Sequence, residues 1–158
     1  SKHAGGRPPI DKDAQITIVQ WNQKDLTRTD TRLSGDRIEK VAKTINNMIK
    51  IDNPSVIAME EVVSGDGGER AVAEIVEKLN EKLNKKLQDK NLQDDDWTYA
   101  LSAVVNPNSP RKKERYAVIW RKSHMGEYGE ENVRHQCIMP NGFLARDSDV
   151  NISADIDL

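Results

Sequence analysis

The chain reads as an α/β protein: a mixed β-sheet with helices packed against it. Three observations predict this class. Four short apolar runs have the length of strands, two longer stretches carry apolar residues at helical spacing, and the last two runs are joined by a hairpin-like loop. The order strand, helix, strand, helix, strand, strand is that of a sheet with helices on at least one face.

The first run, QITIVQW at 15–21, puts Ile16, Ile18 and Gln20 on one side and Thr17, Val19 and Trp21 on the other. Such a mostly apolar pattern suits a strand covered on both faces, and it is expected to end at Asn22. From Asp36 to Lys50, Ile38, Val41, Ala42, Ile45 and Ile49 form one apolar stripe on a charged helix, which Asp52-Asn53-Pro54 stops. The next run, VIAMEEV at 56–62, delivers two carboxylates, Glu60 and Glu61, to the end of a buried strand. Carboxylates in that position bind a metal or do acid–base work. A second helix follows from Glu69 to about Leu87, its stripe made of Val72, Ile75, Val76, Leu79 and Leu83. Segments 97–103 and 116–120 are two further strands, joined by a polar loop with Asn106, Pro107, Ser109 and Pro110. If the last strand runs antiparallel to the first two, it begins where they end. One rim then gathers Asn22, Glu61 and Glu114.

Four segments in order carry a resemblance: Trp21-Asn22 after the first strand, IAMEEV at 57–62, WTYALS at 97–102 and ERYAVIWRK at 114–122. Over residues 15–122 the chain resembles the endonuclease/exonuclease/phosphatase superfamily, and within it most closely the deoxyribonuclease I-like nucleases. The resemblance implies metal-dependent hydrolysis of phosphodiester bonds in nucleic acid, DNA in preference to RNA, with Mg2+ as the ion and Ca2+ or Mn2+ as substitutes. Glu61 looks like the family's metal-binding glutamate, and Asn22 like the asparagine that orients the scissile phosphate or the metal's surroundings. Glu114 looks like the glutamate that buttresses a catalytic histidine, and Lys24 stands where a basic phosphate contact is common. Three positions depart from the pattern. Glu60 replaces a glutamine, and Val63 and Lys112 stand where the deoxyribonucleases carry an arginine and a tyrosine that enter the minor groove.

The family fold resembles a four-layered sandwich of two packed sheets and needs roughly 250 residues; this chain has 158. The expectation is therefore half of that sandwich. Residues 1–14 form a tail, 15–122 the N-terminal half with its helices on the outer face, and 123–158 an irregular excursion toward a missing second half. That half would bring the catalytic histidine, since His3, His124 and His135 lie outside the matching segments. On this reading the helices cover one face of the sheet. The other, with Val19, Trp21, Ile57 and Ile119, meets a second sheet supplied by another polypeptide, as one half of a nicked or a two-chain enzyme.

A net charge of −2 excludes a globally basic nucleic-acid binder, though a local patch suffices. Arg111, Lys112, Lys113 and Arg115 make such a patch around Glu114, suited to phosphate contacts. A phosphatase or phospholipase of the same superfamily, and a non-catalytic binding protein that retains the fold, are the alternatives. ERYAVIWRK and its basic neighbours favour the nuclease. Asp147-x-Asp149-x-Asn151 begins like a calcium loop, but Ile152 occupies the place of the turn glycine and Leu158 that of the bidentate acid. Trp97 and Trp120 sit inside strand patterns and belong to the core. Cys137 is the single cysteine and has no internal disulfide partner, which leaves pairing with another chain, a free thiol or a buried inert thiol; the sequon Asn151-Ile152-Ser153 matters only in a secreted protein, and secretion is slightly favoured as an expectation. No stretch has the length and apolarity of a membrane span.

Overall fold

The computed structural model describes residues 16–86, 96–125 and the strand at 152–155. Its sheet is built outward from β1 (Ile18–Leu26) and β2 (Val56–Val63), which run parallel with Ile18 opposite Val56 and Trp21 opposite Met59. A parallel pair needs a crossover, and α1 (Arg32–Ile51) supplies it. Thr31 sets the start of the helix: its backbone is extended and its hydroxyl accepts the Ser34 N–H. Asn53, left-handed at φ 45°, turns the chain out of the helix before Pro54. Next come α2 (Asp66–Lys86) and the hairpin of β3 (Trp97–Leu101) and β4 (Glu114–Arg121).

Because β4 pairs antiparallel with both β2 and β3, the α/β sheet is mixed, in the order β3-β4-β2-β1-β5. The edge strand β5 (Ile152–Asp155) lies parallel to β1. It corrects the expectation that 123–158 is irregular throughout; four residues, of which only Ile152 is large and apolar, are too short a run to stand out. No helix among the described residues is long and apolar enough to cross a membrane. The tail at 1–14, His3, His135, Cys137 and the Asp147-x-Asp149-x-Asn151 stretch lie outside the described residues.

Both helical stripes pack on one face of the sheet. Ile38, Val41 and Ile45 of α1 and Val72, Ile75 and Leu79 of α2 meet Val19, Trp21, Ile57, Met59, Ala117 and Ile119 in one core. Each buried isoleucine or methionine there contributes about 1.5–3 kcal/mol. The expectation that Val19, Trp21, Ile57 and Ile119 look away from the helices is corrected. Side chains alternate across a strand, and these strands are apolar in both parities, so the pattern does not say which parity the helices cover. The second face carries Ile18, Val56, Ala58, Tyr116, Val118 and Trp120, with Met125 packed on them. Its centre is dry: Val56, Ala58, Val118 and Trp120 are at most 1% exposed.

The end of the sheet where β2 begins and β4 finishes, its base, is tied by polar contacts. Asp96 accepts from Arg121 Nε at 2.9 Å, from the Ser123 N–H at 2.7 Å and from the Ser123 hydroxyl at 2.5 Å. Burial pushes the Asp96 carboxyl up, but the Ser123 and Arg121 donors outweigh it and hold the group below the usual carboxylate range. Arg121 also lies over the Trp97 ring, 5.6 Å from its centre. Asn80 of α2 donates to the Trp97 carbonyl at 3.0 Å and accepts the Trp97 N–H at 2.9 Å. His124 Nδ1 meets the Ser55 hydroxyl at 3.0 Å.

Candidate metal and nucleic-acid site at the sheet rim

At the opposite end, the rim, two strands leave the regular ladder at the same height. Between the pairs Asn22–Glu60 and Leu26–Val62, β1 advances from 22 to 26 while β2 advances from 60 to 62. Between Met59–Ala117 and Val62–Arg115, β2 advances from 59 to 62 while β4 moves only from 117 to 115. Extra residues of this kind bend a strand and re-aim its side chains. Three non-glycine residues here adopt left-handed backbone: Lys24 at φ 52°, Asp25 at φ 68° and Glu61 at φ 55°. Such a conformation costs an L-residue about 1–2 kcal/mol.

Local contacts hold this arrangement. The Asn22 Oδ1 accepts the Lys24 N–H at 2.8 Å, a side-chain turn that suits the left-handed pair. Beyond it, the Arg28 N–H donates to the Gly67 carbonyl at 2.7 Å and clamps the chain that leaves β1 to the first turn of α2. Only bare backbone fits there. A Cβ on Gly68 would lie 1.8 Å from the Val63 oxygen, and one on Gly67 2.2 Å from Thr27 Oγ1. The expected end of β1 at Asn22 is thereby corrected: the strand bulges after Asn22 and runs on to Leu26.

Glu114 pairs with Val63 in register, so the antiparallel placement that brings it to the rim is observed. Its carboxyl is lifted above the usual glutamate range, first by burial, then by the charges of Glu61 and Asp25 and by a hydrogen bond with Asp25. Asp25 thus belongs to the same group of acids, although the sequence reading passed over it. Its only signal was its place three residues after Asn22, and two consecutive left-handed residues erase any alternation that would have aimed it. Glu60, opposite Asn22, is engaged by the Gln20 amide, which donates to its Oε1.

The basic segment divides. Arg111, Lys112 and Lys113 are exposed on a loop folded back on β4: Asn106 Oδ1 accepts the Glu114 N–H at 2.7 Å, and Asn106 Nδ2 donates to the Lys112 carbonyl at 3.3 Å. Arg115 goes elsewhere. It stands on the helix-covered side of β4, and its guanidinium donates to the carbonyls of Ser64 and Gly65 at 3.3 and 3.2 Å. Lys24 is exposed beside Asn22.

His124, the one histidine among the described residues, sits at the base and not beside Glu114. Among the described residues no group of three or more His, Cys, Asp or Glu side chains is arranged to hold a metal ion. The donors at the rim are oxygens, from Glu61, Glu114, Asp25 and the Asn22 amide. A hard cation held by one or two carboxylates, with water or phosphate oxygens completing its shell, fits that set. Comparison of the chain with protein-family models and with curated proteins finds no match.

Proposed function

We propose that the chain is one half of a metal-dependent endonuclease that hydrolyses phosphodiester bonds, in DNA in preference to RNA, and acts together with a second polypeptide. The observation that supports this reading is the paired bulge at the rim, which turns strained, like-charged side chains toward one another where a cation would relieve them. Backbone strain beside a perturbed carboxyl, here that of Glu114, is the kind of feature that gathers at functional sites.

In this reading Glu61 and the Asn22 amide oxygen hold Mg2+, with Ca2+ or Mn2+ as substitutes. When bound, the ion would polarise the phosphoryl oxygen and stabilise charge on the leaving oxygen. Lys24, Arg111, Lys112 and Lys113 contact backbone phosphates, which carry no sequence information but position the duplex. Glu114 orients a histidine that comes from the second polypeptide, together with the rest of the sandwich.

Glu61→Gln should lower magnesium-dependent nicking of duplex DNA by ~10²-fold, measured on the chain with whatever polypeptide copurifies with it, because a charge beside the ion is lost. Unchanged nicking and unchanged Mn2+ affinity would remove Glu61 from the site. DNA binding without any metal-dependent hydrolysis would favour the non-catalytic alternative, as the position of His124 at the base already does for this chain taken by itself.

A further inference from the structure

The base of the sheet holds a cluster that the rim chemistry does not use. Ser55, immediately before β2, is 5% exposed, and its hydroxyl lies 3.0 Å from His124 Nδ1. The histidine follows β4 in the helical residues 122–125, of which Met125 packs on the apolar cluster of Val56, Ala58, Val118 and Trp120. The imidazole is therefore one of the ties that keep Met125 on the second face.

We propose that the Ser55–His124 pair is a pH-sensitive clasp, which closes residues 122–125 over the second face of the sheet and loosens when the imidazole takes up a proton. The charges that act on the ring explain the direction. Arg121, at the end of β4, repels an imidazolium, while Asp96, ahead of β3, attracts one; Ser55 is neutral. Asp96 is already committed: its two carboxylate oxygens receive three donors from Arg121 and Ser123. Burial, the larger influence, and Arg121 together hold His124 below the ordinary histidine value, against the pull of Asp96.

The folded state thus binds the proton less tightly than the unfolded chain. The contribution of the clasp is complete above the ordinary histidine value of about 6.5 and is lost as pH falls through the lowered one. Asp96, itself held low, stays ionised across that window, so its bonds to Arg121 and Ser123 outlast the clasp.

The test uses the full chain from pH 8 to pH 5, with two readouts: the NMR titration of the His124 ring, and amide-exchange protection at 122–125 corrected for the intrinsic pH dependence of exchange. The expected result is a His124 midpoint below that of a solvent-exposed histidine and a several-fold fall in protection that follows it. His124→Asn, which keeps a hydrogen-bonding oxygen near the place of Nδ1 but does not titrate, should hold protection level over the same range. A midpoint at or above the exposed value, constant protection in the unaltered chain, or the same fall in His124→Asn would overturn the proposal.

Discussion

The two ends of one sheet are built on opposite electrostatic plans. At the base, Asp96 faces Arg121, every carboxylate oxygen has a donor, and the burial of the charge is more than offset. At the rim, the charges of Glu61 and Asp25 make Glu114 harder to ionise, and the backbone there is left-handed at Lys24, Asp25 and Glu61. Matched charge at the base ties strand ends together. Like charge at the rim makes no such tie, and in the proposed reading a bound cation would relieve it. The same strands, β2 and β4, run through both ends, so the contrast belongs to the bulges and termini and not to a difference in strand type.

The largest effect should come from breaking the base. Asp96→Ala leaves a mostly buried Arg121 without its partner, and removing one member of such a pair costs about 3–5 kcal/mol. Urea unfolding reads it, and a loss below about 1 kcal/mol would erase the distinction between the two ends. Next in size, in the proposed nuclease reading, is the effect of the rim's basic loop on DNA binding. Replacing Arg111, Lys112 and Lys113 by alanine should reduce the slope of log K against log[salt] by roughly two to three, at about 0.9 per phosphate contact. Arg115→Ala should leave that slope unchanged and instead cost about 1 kcal/mol of stability, because its donors serve the Ser64 and Gly65 carbonyls. A slope lowered by Arg115→Ala would return that residue to the nucleic-acid surface.

The smallest effect has the most informative sign. A raised Glu114 carboxyl means that the folded chain holds this proton more tightly than the unfolded chain does, so stability falls as pH rises from the ordinary glutamate value through the raised one. The penalty is complete at neutral pH. Glu114→Gln should therefore stabilise the chain at pH 7 by about 0.5 kcal/mol, kept small by solvent screening, and do nothing at pH 3. Thermal melting at the two pH values measures this. Destabilisation at pH 7 would show that the rim is as well matched as the base.

Much of the framework was legible because it depends on periodicity. The stripes of α1 and α2, the strand positions and the meeting of Asn22, Glu61 and Glu114 at one edge all follow from spacing and strand direction. What escaped depends on handedness and parity. Nothing in Lys24, Asp25 or Glu61 announces a left-handed backbone, which glycine would have signalled, and so Asp25 went unnoticed. The covered face was assigned the wrong way round because Val19 and Ile18, or Ile57 and Val56, are equally apolar. Arg115 parted from its basic neighbours because β4 begins at Glu114 and not at 116, the expected start: adjacent residues in a strand point to opposite sides, so Arg115 and Glu114 cannot share one. Thr31 likewise offered a start for α1 four residues ahead of Asp36, the expected beginning.

The Asn80 amide has a consequence for how the protein meets other molecules. β3 is the last strand on its side of the sheet, and the outward N–H and carbonyl of Trp97 are both taken by that one side chain. A strand arriving from another molecule would find this pairing position already filled and would have to displace α2 to gain it. Unpaired strand edges are where sheets polymerise, and proteins commonly block them with charge, proline or a covering element. Here a helix lends a single amide to the task, which makes β3 a poor template for growth at the end where it begins.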